Sequence, residues 1–407
     1  MANLWIIYPE SSTPETGMGG RHHYLAKELV KLGHNVTVVA ARWHHLLREG
    51  VDVDALPAEE MVEGYRFVRI DVPRYSDAHD KRRVLAWFTF AARLFGLRRR
   101  LADSPDTILY SSPHPIGYLG AERLAKVLGA RLVFEVRDIW PLTLMEIGGY
   151  GKRHPFIRFL QWVEDRAYAK ADRVVSNLEG AVEHMVSRGM DREKFAWVSN
   201  GISLQAIDFP EPLSQELDRQ IPKDGLRIVY TGTLGVANAL DTLIVAAEIL
   251  RNVPGINFIL VGQGRNREAL RRQCAKLKLD NVHFLGPVPK KQVQSVLAAC
   301  DVCYIGLTSD PLFRFGVSPN KLFDYFISGN PVLYAIESGN FSPVERYQAG
   351  LQIPPENPQA LADAILRMHA MPEDERRSMG ENGRKAATEH YDYAKLAQRL
   401  EAVLLED

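Results

Sequence analysis

The chain alternates short apolar runs with amphipathic segments almost from end to end. In the first half the apolar runs are LWIIYP (4–9), NVTVVAAR (35–42), YRFVRIDV (65–72), TILYSS (107–112), RLVFEV (131–136) and RVVSNL (173–178). They are rich in valine and isoleucine, the pattern of strands covered on both faces. Helical periodicity fills most of the gaps, which predicts βαβ units and a parallel sheet. The pattern restarts at LRIVYTGT (226–233), after which Leu240, Leu243, Ile244, Ala247 and Leu250 fall on one helical face. NFILVGQG, VHFLGPV, VCYIGL and PVLYAI continue it, each separated by a helical stretch. Between the halves, WVSNGISLQAIDFPEPLSQELDRQIPKDG has the Asn-Gly, the prolines and the charges of a connector. The prediction is an α/β protein of two Rossmann-like domains, residues 1–200 and 201–388, whose parallel sheets face a central cleft. A helical tail, 389–407, is expected to pack back towards the first domain.

Composition narrows the class. At 407 residues, two or three domains fit the ordinary size of about 100–200 residues each. Hydrophobic content of 46% and charged content of 25% are those of a soluble globular chain. Lys+Arg and Asp+Glu balance at 50 each, so no overall field draws nucleic acid, and electrostatic targeting rests on local patches. No apolar run reaches the roughly 18–20 residues needed to span a bilayer. LWIIYP lacks the basic leader and cleavage site of a secretory signal. Three cysteines, Cys274, Cys300 and Cys303, are too few for a disulfide framework and imply a reducing compartment. Cys300-x-x-Cys303 has redox or zinc-like spacing. It sits in ACDVCYIGL, a helix end running into a strand, with no second ligand pair, so buried thiols are the simpler reading.

Three glycine-containing loops carry the candidate chemistry. GMGGRHHYLAKELVKLGH (17–34) puts Gly17, Gly19 and Gly20 between the first strand and the first helix. Ligands of open α/β sheets bind beyond the carboxyl ends of strands, and a helix N-terminus suits phosphate. Arg21 adds a fixed charge; a plain surface turn is an equal alternative. Gly262-Gln263-Gly264 is half a dinucleotide fingerprint, but Arg267 and the absence of a strand-end acid argue against a dehydrogenase. The third loop, FRFGVSPNKLFDYFISGNPVLYA (313–335), is the most informative. Ser318 is the predicted N-cap and Pro319 the first helical residue, with Asn320 and Lys321 in the first turn. Asp324, further in, is placed to accept from ribose hydroxyls, or is a solvated helix carboxylate.

These motifs, with NGISLQAIDF, YTGTLGVANALDTLIVAAEIL, ILVGQG, VHFLGPVP and VFEVRDIWP, resemble the family 4 retaining glycosyltransferases of the GT-B fold. Within them the chain is similar to the bacterial O-antigen L-fucosamine (N-acetylfucosamine) transferases, over nearly its whole length. The resemblance implies a donor site mainly in the second domain. Thr231, Gly232 and Thr233 would approach the diphosphate, Gly262, Pro287 and Val288 would flank the base, and Asp324 would hold the ribose. The helix beginning near Ser318 would cradle the diphosphate. Gly19, Gly20 and Arg21 would add to the donor site. Two positions depart from the family. The first acid of its E-x7-E motif falls on Gly316, where Ser318 or a backbone N–H would have to replace it. Its Arg and Lys after the first strand of this domain fall near Thr233 and Asn238. Lys321, helped by Arg21 or Arg314, is the expected substitute cation. No metal is expected.

The resemblance implies transfer with retention, by same-face attack and without a protein nucleophile; positioning and stabilisation of the leaving diphosphate are the tasks. Asp138 is expected to contact or deprotonate the acceptor hydroxyl, against the alternative of a structural carboxylate at the Trp140-Pro141 turn. His114 is a second candidate proton carrier, against a structural role between two prolines. His22 and His23, being adjacent, do not share a helix face and do not suggest a metal. The stretch HDKRRVLAWFTFAARLFGLRRRL (79–101) has basic ends around an aromatic centre. It suits a helix lying on anionic lipid through Arg82, Arg83, Trp87, Phe88, Arg98 and Arg99, or else a core helix with basic ends. The overall expectation is transfer from a UDP-sugar, such as an N-acetylated deoxyhexosamine, to a polyprenyl-diphosphate-linked glycan in bacterial surface polysaccharide synthesis. The protein would then work in the cytoplasm, on the inner face of the membrane. A GT-B-like UDP-sugar 2-epimerase and a degenerate non-catalytic subunit remain as alternatives.

Overall fold

The computed structural model describes residues 1–17, 19–76, 80–208 and 210–406. His79, the first residue of the basic amphipathic stretch, lies outside the described residues. The chain divides into two compact units, Met1–Asn200 with Tyr393–Asp407, and Gly201–Asp392.

The first unit begins β1 (Asn3–Ile7), α1 (Gly20–Lys31), β2 (Asn35–Ala41), β3 (Glu59–Val62) and β4 (Tyr65–Ile70). It continues α2 (Arg82–Leu94), α3 (Leu97–Arg100), β5 (Thr107–Ser111), α4 (Ile116–Leu128) and β6 (Arg131–Val136). Then follow α5 (Leu142–Glu146), α6 (Pro155–Lys170), β7 (Arg173–Ser176), α7 (Ala181–Ser187) and β8 (Phe195–Trp197). The sheet order is β3-β4-β2-β1-β5-β6-β7-β8, parallel except for β3, which runs antiparallel to β4. Ile6 of the central strand pairs with Val38 on one side and Leu109 on the other. Burial on both faces explains the unbroken apolar runs. Leu25 and Leu29 of α1 pack on one face with Leu396 and Leu400 from the C-terminal segment. Each such leucine contributes about 1.5–3 kcal/mol on burial. On the other face α2, α4 and α6 meet at Trp87, Ile116 and Leu160. A Cβ at Gly120 of α4 would lie 2.1 Å from the Ala91 carbonyl oxygen, so glycine sets the approach of α2.

The second unit runs α8 (Gln215–Arg219), β9 (Leu226–Thr231), α9 (Leu240–Ile249), β10 (Ile256–Val261), α10 (Arg267–Leu277) and β11 (Val282–Leu285). It continues α11 (Val293–Ala298), β12 (Val302–Gly306), α12 (Asn320–Ser328), β13 (Val332–Ala335) and α13 (Pro343–Arg346). It ends β14 (Gly350–Gln352), α14 (Pro358–Ala370) and α15 (Glu373–His390); α16 (Tyr393–Leu405) belongs to the first unit. The sheet is parallel, in the order β11-β10-β9-β12-β13-β14. α15 lies directly on the left-handed Gly329 that ends α12, since a Cβ at Gly380 would sit 1.7 Å from the Gly329 carbonyl oxygen. The three strands the sequence pattern did not predict, β3, β8 and β14, are three or four residues long and only half-buried, too short to print an apolar run.

Candidate functional site

In the second unit the carboxyl ends of β9, β10 and β12 and the start of α12 gather at one edge of the sheet. Glycine is required there because backbones touch. A Cβ at Gly262 would lie 2.0 Å from the Gly232 carbonyl oxygen, and one at Gly264 2.3 Å from that of Leu234. The turns after β9 and β10 therefore interlock, with Gly232 and Gly262 at φ 136° and 141°. Gly232 and Thr233 are exposed. Thr231 is buried, its N–H donating to Tyr325 Oη at 2.9 Å, so its predicted donor contact gives way to docking α12 on β9.

Lys321 is the cation of this edge. Its Nζ donates to Tyr230 Oη and to Asn238 Oδ1, each at 2.8 Å, and stands 4.4 Å from the Tyr230 ring centroid. Tyr230 Oη and Asn238 Nδ2 in turn donate to the Thr233 carbonyl. An ammonium has three protons, so one remains for a ligand. Nζ stands beside the exposed turn, 3.5 Å from the place a Gly232 Cβ would take. Burial pushes the Lys321 pKa down to about 8. Lysine lowered towards neutrality by desolvation is a mark of working sites.

α12 begins at Asn320, one residue later than predicted, with Pro319 at the cap, so Ser318 is not its N-cap. Asn320 is exposed in the first turn. Asp324 is buried, and Lys290 Nζ lies 2.5 Å from both of its oxygens. Burial raises the Asp324 pKa and Lys290 opposes the rise. The carboxylate is thus not a solvated helix charge. Pro287 is exposed and Val288 half-buried on the segment leading to Lys290. Gly316, at the place of the family's first acid, has φ 87° and ends a short 3-10 turn, Pro311–Phe315. A glutamate there would be strained. Arg314 bonds its own turn at the Pro311 carbonyl and covers the Phe315 ring.

In the first unit, Gly19 and Gly20 have φ 64° and 72° at the start of α1, and a Cβ at Gly20 would meet nothing within 4 Å, so backbone conformation alone calls for glycine there. Arg21 is corrected by the structure. Its Nε donates to Glu135 at 2.9 Å, and its other nitrogens reach the carbonyls of Val198 and Ser199. It is 5% exposed, leaving no guanidinium free for phosphate. Glu135, fully buried, also accepts from Ser111 Oγ at 2.5 Å and lies 3.0 Å from His22 Nε2. Burial would raise the Glu135 carboxyl, but Arg21, His22 and Ser111 outweigh it and hold it well below the usual range. Burial lowers His22 to about 4. His23 meets Tyr65 Oη at 2.8 Å.

Asp138 stands exposed just past the end of β6, and the protein mass around it raises its carboxyl, opposed by Arg137 and aided by Glu10. His114 is a correction. It is completely buried, its ring 4.3 Å from that of Trp87 and 6.5 Å from that of Trp140. Burial drives it down to about 3, so it stays neutral and does not carry protons to solvent. Trp87 is a third correction. At 8% exposure it belongs to the core and presents no face to a membrane. Phe88 is 42% exposed. Arg82 pairs with Asp80, and Arg83 pairs with Glu10 at 2.7 Å and covers Trp87. Arg98 stacks on Phe95, and Arg99 is exposed. All three cysteines are free and buried.

Sequence reasoning missed Tyr230, Lys290 and Glu135. Only Glu135 carried a signal, a lone charge inside an apolar strand. The partners of Lys321 and Asp324 lie 91 and 34 residues away from them.

Residues 16–201 match the glycosyl transferase 4-like domain, and residues 215–386 match the glycosyl transferases group 1 domain. The chain belongs to the glycosyltransferases built from this pair of domains. A Pseudomonas aeruginosa protein described as glycosyltransferase WbjE is 26% identical over 290 residues, 68% of each chain. An Escherichia coli (strain K12) protein described as a colanic acid biosynthesis glycosyl transferase, WcaI, is 24% identical over 345 residues, 81% of this chain and 83% of that one. Two solved structures share the GT-B fold. Sucrose-phosphate synthase from Thermosynechococcus elongatus superposes with TM-score 0.73 at 17% identity, covering 99% of this chain and 98% of its own. Anabaena Alr3699/HepE, in complex with UDP-glucose, gives 0.66 at 13% identity and 99% of both chains.

Proposed function

We propose that the chain is a retaining glycosyltransferase that takes a sugar from a UDP-sugar and passes it to a lipid-linked glycan in bacterial surface polysaccharide synthesis, working on the inner face of the cytoplasmic membrane. The observation that carries this reading is Lys321. It is a desolvated ammonium with one proton to spare, anchored beside an exposed glycine turn at the start of a helix. That combination neutralises a diphosphate as it leaves. The colanic acid relative and the UDP-glucose complex of HepE support the pathway class and the donor.

In this reading Lys321 and the first turn of α12 hold the diphosphate, with no metal required for its charge. Asp324 accepts from the ribose diol, with Lys290 favouring its carboxylate against the cost of burial. The interlocked glycine turns at Gly232 and Gly262 let backbone come close to the donor. Asp138, with its raised pKa, takes the proton of the acceptor hydroxyl as the new bond forms on the face the diphosphate leaves. An N-acetylated deoxyhexosamine is the proposed donor sugar.

A melting-temperature screen with UDP, GDP, ADP, CMP and NAD tests the donor. A ligand at about a hundred times its dissociation constant adds roughly 2.7 kcal/mol to stability. A selective rise with UDP is expected. A rise with another nucleotide changes the donor, and no rise with any nucleotide overturns the reading in favour of a degenerate binding subunit.

A further inference from the structure

We infer that the outer face of the α2–α4–α6 layer seats the protein on an anionic membrane, and that a groove between α4 and α6 receives the lipid headgroup. The inference rests on the membrane-surface part of the proposed function and moves its centre from α2 to α6.

Among the described residues four large apolar side chains stand in solvent on this layer, Val127 of α4 at 50%, Leu85 and Phe88 of α2 at 58% and 42%, and Trp162 of α6 at 52% exposure. Phe88 and Trp162 are joined by Phe159, whose ring lies 5.7 Å from that of Phe88 and 6.1 Å from that of Trp162. The row therefore crosses from α2 to α6. Next to Trp162 opens a groove of about 810 Å³, with Leu119 and Leu132 among its apolar lining. Its charged lining is four cations, Arg123, Lys126, Arg166 and Lys170, and two acids, Glu122 and Asp172. The cations outnumber the acids. Glu122 pairs with Arg166 at 2.7 Å, and Asp172 accepts the Leu132 N–H. Lys126 and Lys170 are exposed, and no acid pairs with them among the described residues.

The surrounding charge has the same sign. From Arg82 to Arg100 the chain carries six arginines and no acid. Arg82, Arg83 and Arg100 pair with Asp80, Glu10 and Glu59 from outside the segment, which leaves Arg93, Arg98 and Arg99 to give it net positive charge. Arg98 and Arg123 both stack on Phe95, at 4.1 and 4.5 Å, and extend the cationic rim from the groove towards α3. Exposed aromatic rings beside unpaired cations match the boundary of an anionic bilayer, where the ring enters the headgroup layer and the cation meets phosphate. A protein partner would need acidic residues to answer every one of these cations. The groove lies by Leu132 and Asp172, at the beginnings of β6 and β7, the opposite edge of the sheet from Asp138. It is therefore separate from the strand ends that carry the chemistry.

The test is co-sedimentation of the full chain with vesicles of phosphatidylcholine alone and of phosphatidylcholine mixed with phosphatidylglycerol. Wild type is expected to bind only the mixed vesicles. Each lysine near such a surface is worth roughly fivefold in partitioning. Lys126→Gln with Lys170→Gln should weaken binding about twenty-five-fold, and Trp162→Ala should weaken it as well. All three positions are exposed, and unchanged melting temperatures confirm folding. If wild type ignores the mixed vesicles, both the membrane reading and this inference fall. If wild type binds and these variants bind equally, the groove is overturned while α2 keeps its role. Protection from unfolding by glycerol phosphate without vesicle binding would also overturn it, in favour of a soluble anion.

Discussion

Lys321 Nζ lies 2.8 Å from Asn238 Oδ1, and Asn238 is near the positions at which the family resemblance calls for cations. An ammonium therefore stands beside them, brought by α12 across 83 residues of chain. In the proposed function it supplies the charge they lack.

Lys321→Met keeps most of the packing and removes the charge. UDP affinity, read by calorimetry, should fall at least about tenfold, the worth of a charge-assisted hydrogen bond. In wild type the affinity should decline as pH rises through about 8, because the folded lysine gives up its proton there rather than near 10.5. A flat profile up to pH 10 would remove Lys321 from the diphosphate.

Arg21 separates a donor contact from a structural tie. Arg21→Ala leaves Glu135 buried beside His22 and Ser111 without its guanidinium. Losing one partner of a buried pair costs about 3–5 kcal/mol. The melting temperature should drop sharply while UDP affinity of the remaining folded protein stays unchanged.

Burial lowers the pKa of five histidines among the described residues, and three of them furthest, His22 and His44 to about 4 and His114 to about 3, from 6.5. Unfolded, each of these three binds a proton below about 6.5; folded, none does until near 4. The unfolded state therefore takes up more protons in that window, and stability falls as pH drops from 6.5 towards 4. His114→Phe keeps a ring against Trp87 and removes one titrating group. Its thermal stability should fall less steeply over that range.

Lys290→Met should leave Asp324 to the effect of burial alone, which raises its pKa. UDP affinity should then weaken at the acid end of a range where wild type is level. An equally level variant would dissociate Lys290 from the ribose site.

Gly316→Glu restores the acid of the family motif in sequence only. At φ 87° a side chain costs roughly 1–2 kcal/mol. Reduced thermal stability with no gain in turnover is the expected outcome.

The sequence by itself determined the two parallel α/β domains, because strands covered on both faces must be apolar throughout and leave runs such as TILYSS and NFILV. It also marked the loop 313–335, since Gly, Pro and a helix start leave local signatures. The short edge strands β3 and β14 left none, having few buried positions to fill. What only the tertiary structure decided is which charges are free. Arg21 and Lys321 look alike in sequence, each a cation at a glycine-bearing helix start. One meets Glu135, 114 residues away, and is consumed; the other meets two neutral oxygens and keeps a proton to give. Trp87 and Phe88 are neighbours in one amphipathic helix, and the turn of that helix buries the first against His114 and leaves the second in solvent. Such outcomes depend on partners distant in the chain, and local pattern carries no record of them.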